Sequence, residues 1–99
     1  RSRLITRTNL AFLDQWVQGE PLISYVKPKA ATVALLKYEL DMKSRDFCVG
    51  LLESKGVMFT PGSALDMEGY VRVGFANNPE TMKMGLAKVS EFLAEQSLQ

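Results

Sequence analysis

The stretch Thr60-Pro61-Gly62-Ser63-Ala64-Leu65-Asp66-Met67-Glu68-Gly69-Tyr70-Val71-Arg72-Val73-Gly74-Phe75-Ala76-Asn77-Asn78-Pro79 decides the fold. Pro61-Gly62 and Glu68-Gly69 are turn punctuation, Tyr70 to Ala76 alternates as a half-buried strand does, and Asn78-Pro79 opens a helix. Loop, strand and helix follow one another without a gap. Strand side chains alternate with period two, so Val71, Val73 and Phe75 share one face while Tyr70, Arg72, Gly74 and Ala76 share the other. Arg72 therefore points away from the apolar face, with a glycine beside it that leaves room. A guanidinium placed there offers a planar fork suited to a carboxylate. An arginine paired with a nearby acid, Asp66 or Glu68, or simply solvated, is the commoner arrangement.

Downstream of this stretch, Met82, Gly85, Leu86, Val89, Phe92 and Leu93 form one helical stripe, with Lys88, Glu91 and Glu95 on the far side. Upstream, Val57 to Thr60 is a brief strand. Before it, a helix capped by Asp41 or Ser44 runs to about Lys55 and stops at Gly56. Phe47, Cys48 and Leu51 share its apolar face, with Leu52 at the border. Leu22 to Lys27 and Thr32 to Tyr38 read as two strands in antiparallel or corner-like pairing across Pro28-Lys29-Ala30-Ala31. Lys27, Lys29 and Lys37 near that connection could bind an anion, but solvated lysines protecting a strand edge are the commoner explanation.

The first helix, Leu4 to Val17, gathers Ile5, Thr8, Asn9, Phe12, Leu13 and Trp16 on one side and Arg3, Arg7, Asp14 and Gln18 on the other, before Gly19 and Pro21 end it. Asn9 on the packed side must find hydrogen-bond partners to offset its desolvation. The order is α, β, β, α, β, β, α, each helix having one apolar face. The economical solution is an α/β (α+β) two-layer sandwich: a small, mainly antiparallel sheet with about three helices on one face and Arg72 on the other.

With 99 residues the chain is one domain with a single core. Lys+Arg 12 against Asp+Glu 11, scattered along the chain, makes no basic stripe for nucleic acid, and no long apolar run could span a bilayer. The absence of histidine removes every Ser-His or Cys-His nucleophile and every histidine metal site from within these residues. Lone Cys48 fits a reducing compartment, hence a cytoplasmic expectation, and reads as a small buried apolar residue rather than a nucleophile. No phosphate-binding fingerprint of glycines is present, and Ser63 serves the turn. A chain that opens within a helix at Arg1 suggests a piece of a longer protein.

Gly56-Val57-Met58-Phe59-Thr60-Pro61-Gly62-Ser63-Ala64, followed by Glu68-Gly69-Tyr70-Val71-Arg72-Val73-Gly74-Phe75-Ala76-Asn77-Asn78-Pro79-Glu80, resembles the C-terminal region of class I/II aminotransferases. These are fold-type I enzymes that use pyridoxal 5′-phosphate (PLP). Asn9, Pro28, the Gly56-Val57 helix exit, the Pro-Gly-Ser loop and the arginine strand come in the family's order. Two departures stand out: Leu65-Asp66 where the family often has Phe-Gly, and Ala30-Ala31 where it often has a glycine. These bear on any aromatic cover over the substrate and on close backbone approach.

The resemblance implies that residues 1–99 are the small domain, that Arg72 binds the substrate α-carboxylate, and that amino acids and 2-oxo acids are the substrates. It also implies that the lysine bonded to the cofactor and the residues holding its phosphate and pyridine nitrogen lie in a large domain upstream. On that view this chain holds no catalytic, cofactor-binding or metal-binding residue, is inactive alone, and belongs to a homodimer. Two alternatives stay open: a stand-alone module docking a partner on the open sheet face, and another fold-type I PLP enzyme such as a lyase or decarboxylase. The upstream coding sequence separates the first from an enzyme, according to whether a large α/β domain or a start codon precedes Arg1.

Overall fold

The computed structural model describes residues 2–25, 33–74 and 78–97. In chain order these form α1 (Ser2–Gln18), β1 (Ile23–Tyr25), β2 (Val33–Tyr38), α2 (Ser44–Lys55), β3 (Thr60–Pro61), a 3₁₀ turn (Gly62–Leu65), β4 (Tyr70–Gly74) and α3 (Pro79–Ser97). The strands make one antiparallel sheet in the order β1-β2-β4-β3. Ile23, Ala34, Leu36, Tyr38, Val71 and Val73 look to one side of it, as period two requires, and meet the helices there. Helix α3 packs against both α1 and α2.

The core is continuous from sheet to helices. Phe47 on α2 stacks on Tyr38 of β2 at 4.7 Å between centroids and meets Phe92 of α3 edge-on at 5.2 Å, so one ring joins three elements. Leu13, Leu51, Leu86, Val89 and Leu93 fill the space around it. Burying each such side chain contributes roughly 1.5–3 kcal/mol. Polar ties fix the helix angles: the Trp16 Nε1–H donates to Ser90 Oγ at 2.8 Å, and the Ser90 hydroxyl donates to Glu20 at 2.6 Å. Lys55 reaches from the end of α2 to Glu91 and Glu95 of α3, so these two exposed acids bridge helices. Burial pushes the Cys48 thiol up to about 11, which keeps it protonated and inert.

Helix starts and stops follow local chemistry at two ends. Asn78 Oδ1 accepts the Glu80 N–H at 2.8 Å, capping α3 ahead of Pro79. Gly56 ends α2 in the left-handed conformation, φ 73°. The start of α2 differs from the expected Asp41 or Ser44 cap: Lys43 holds the cap position and supplies no side-chain bond. Ser44 is instead fully buried inside the first turn.

Three further corrections concern local packing. The strand expected over 57–60 is only Thr60–Pro61, and Met58 stands exposed. As the outermost strand, β3 tolerates the proline, whose missing N–H is needed only where a strand is paired on both sides. On α1, Thr8 is exposed while Val17 is buried, and Asp14, expected to be wet, accepts the Tyr25 hydroxyl at 3.0 Å. Asn9 is buried and partnered. Lys27, Lys29, Ala30-Ala31 and Phe75-Ala76 lie outside the described residues; Lys37 is exposed, 3.9 Å from Glu39. Among the described residues no helix is long and apolar enough to cross a membrane.

Candidate functional site

The helices leave the second sheet face uncovered, and Arg72 stands on it, exposed. Register places Leu35 of β2 directly across from Arg72 on one side and Thr60 of β3 on the other. Tyr70, paired with Lys37, lies on the same face toward one end, and Gly74, paired with Val33, toward the other. Arg72 Nη2 donates to Thr60 Oγ1 at 3.4 Å. Among the described residues Arg72 enters no ion pair.

Neither acid considered as a partner for Arg72 serves it. Asp66 sits at the end of the 3₁₀ turn in the left-handed region, φ 59°. Glu68 turns the other way, and three donors converge on its carboxylate: the Ser44 N–H at 2.6 Å, the Ser44 hydroxyl at 3.3 Å and the Gly69 N–H at 3.1 Å; the Tyr38 hydroxyl, which donates to the Met42 carbonyl at 2.7 Å, lies 3.4 Å away. Glu68 thus caps α2 from across the fold, satisfying an N–H that Lys43 leaves orphaned. Ser44 Oγ in turn accepts the Ser63 N–H at 3.0 Å, which fastens the 3₁₀ turn to the same point. The long turn between β3 and β4 is therefore anchored to the helix layer.

That anchor has a pH signature. The Ser44 backbone hydrogen bond, supported by Gly69, the Ser44 hydroxyl and Tyr38, holds the Glu68 carboxyl below its usual range despite some opposing desolvation. A depressed folded-state pKa contributes stability that is complete above the unfolded value, about 4.3, and is lost as pH falls through the folded value. Glu68→Gln is predicted to flatten this acid limb. Urea midpoints measured from pH 7 down to pH 3 check it, and an unchanged acid limb in the variant would contradict the role.

Gly62 makes the turn possible. A Cβ there would fall well inside contact distance of the Met67 carbonyl oxygen and 2.5 Å from that of Tyr70, both backbone atoms. Its own carbonyl accepts the Met67 N–H at 2.7 Å. A separate apolar groove of about 440 Å³ runs along the β3–β4 end of α3, lined by Met58, Phe59, Val73, Met82, Met84 and Leu86 among others; Arg72 is not part of it.

Lys55 does not fit the role of a lysine bonded to PLP. A lysine that bonds to an aldehyde must lose its proton readily, whereas the Glu95 and Glu91 carboxylates raise the pKa of Lys55 and keep it charged. Among the described residues no group of three or more acids and cysteines gathers around a cation position.

The chain matches no family model. It is 34% identical over 71 residues to nicotianamine aminotransferase A of Hordeum vulgare, an alignment taking in 67% of this chain and 15% of that protein. A PLP-dependent aminotransferase from Streptococcus suis 89-1591 superposes on 97% of this chain and 26% of its own, with a TM-score of 0.94 and 45% identity. The PLP-dependent cyclase OrfR superposes on 93% of this chain and 26% of its own, with a TM-score of 0.87 and 30% identity. The chain thus spans only a minor part, 15% to 26%, of these relatives' length. The class so defined is the PLP-dependent aminotransferases of fold type I. This chain corresponds to one part of such a protein, consistent with the small C-terminal domain.

Proposed function

We propose that residues 1–99 are the small domain of a PLP-dependent aminotransferase, in which Arg72 binds the α-carboxylate of the amino acid and 2-oxo acid substrates. The observation that carries this reading is the exposed guanidinium on the uncovered sheet face, free of any acid among the described residues. Two parallel N–H···O bonds from a planar fork fix both the position and the tilt of a carboxylate, which a single charge cannot do. A substrate so held keeps one orientation relative to the rest of the enzyme, and orientation is a large part of the rate. PLP, when bound, supplies the means to detach and re-attach the amino group. On this reading the residues that hold it lie outside this chain, in a large domain facing the open sheet.

Replacing Arg72 by lysine in the full-length protein tests the assignment, since charge is kept and the fork is lost; unchanged steady-state kinetics would overturn it. The protein is then a homodimer, by the same resemblance, and the free thiol of Cys48 fits a reducing compartment such as the cytoplasm. The 99-residue chain by itself is predicted to transfer no amino groups. A stoichiometric absorbance change on adding PLP to it, of the kind a lysine adduct produces, would count against that division of labour.

A second reading has one specific support: the cyclase OrfR shares this fold at 30% identity, so the scaffold carries more than one PLP reaction. Product analysis separates the two, because transamination yields one 2-oxo acid for each amino acid consumed, whereas a lyase or decarboxylase releases ammonia or carbon dioxide.

A further inference from the structure

We infer that Thr60 is a positioning residue for Arg72: its hydroxyl holds the guanidinium in the orientation that receives a carboxylate, an inference resting on the reading of Arg72 as the carboxylate-binding group. The two residues face each other in the β3–β4 register, and the Arg72 Nη2–H donates to Thr60 Oγ1 at 3.4 Å. Arginine has five N–H donors, so this bond occupies a single one and leaves Nη2 a second N–H beside those of Nε and Nη1. A bidentate edge survives. The tether removes rotation from a long side chain that would otherwise sample many rotamers before binding.

The direction of influence follows from which partner is better fixed. Thr60 is β-branched and stiff at its first torsion, and the following Pro61 confines its backbone to the extended region. Its strand is continuous with the turn closed by the Met67 N–H to Gly62 carbonyl bond at 2.7 Å, which Ser44 and Glu68 fasten to α2. Thr60 is half-buried, whereas Arg72 is exposed. The hydroxyl is thus a fixed point presented to a mobile fork.

The full-length enzyme carrying Thr60→Val, Thr60→Ser or Arg72→Lys provides the test, with propionate as a competitive probe of carboxylate binding alone. Valine keeps shape and strand preference and deletes only the hydroxyl. In Thr60→Val, the KM for the amino acid and the propionate inhibition constant are both expected to rise about 3- to 10-fold, with kcat at saturating substrate changed less than about twofold. Thr60→Ser should stay within about twofold of the parent on all three. Unchanged propionate inhibition in Thr60→Val, alongside its loss in Arg72→Lys, would overturn the role of Thr60 while leaving that of Arg72 intact. Undiminished propionate inhibition in Arg72→Lys would overturn both. Thr60→Ser as impaired as Thr60→Val would also overturn it, because packing rather than the hydroxyl would then matter. Thr60→Ala gives the same hydroxyl comparison if valine disturbs the strand.

Discussion

Arg72→Lys in the full-length protein is expected to lower kcat/KM for amino-group transfer about 10- to 100-fold, since a hydrogen bond to a charged group contributes about 1.5–3 kcal/mol and each 1.4 kcal/mol is a factor of ten. Lysine keeps the positive charge, so long-range attraction of an anionic substrate survives, but its ammonium is a point donor with no planar fork. The loss therefore isolates geometry. Fold stability should hardly move, because Arg72 is exposed and makes no ion pair among the described residues; a change within about 0.5 kcal/mol is typical of such surface sites. Steady-state kinetics together with urea unfolding of the same variant check both halves. A large stability loss with intact kinetics would assign Arg72 to the scaffold instead.

Gly62→Ala is expected to destabilise the fold by about 3 kcal/mol or more. The added Cβ meets the backbone carbonyls of Met67 and Tyr70, and backbone cannot swing aside as the end of a side chain can. Relief requires opening the turn, which breaks the Met67 to Gly62 hydrogen bond and strains the Ser63 to Ser44 contact. The same turn joins Thr60 to the strand of Arg72, so substrate binding should weaken along with stability. Chemical denaturation gives the measurement, and a shift below about 0.5 kcal/mol would mean the turn is looser than its contacts imply.

Much of the fold was legible because its signals are local. Alternation through Tyr70–Gly74 set which side chains share a face, and a stripe from Met82 to Leu93 marked the buried side of α3. Asn78 and Gly56 declared their helix ends through their own chemistry. Where the expectation failed, the partner was remote. Val57–Thr60 has strand-like residues, but only Thr60 and Pro61 find a partner, so Met58 stays outside the sheet. Glu68 looked like a loop acid available to Arg72, and in fact its capping partner Ser44 is 24 residues away in sequence. One signal for Thr60 was available by counting: a hairpin centred on Asp66 pairs Thr60 with Arg72.

The sequence by itself determined that Arg72 stands opposite the apolar face of its strand, because period-two alternation is a property of the backbone and needs no partner. Only the tertiary structure decided what surrounds it. Thr60 is brought alongside, Glu68 is drawn away to the start of α2, and Gly62 is pressed against two carbonyls. Each of these depends on the path of the β3–β4 turn through space, and that path is set by contacts between segments the sequence keeps far apart.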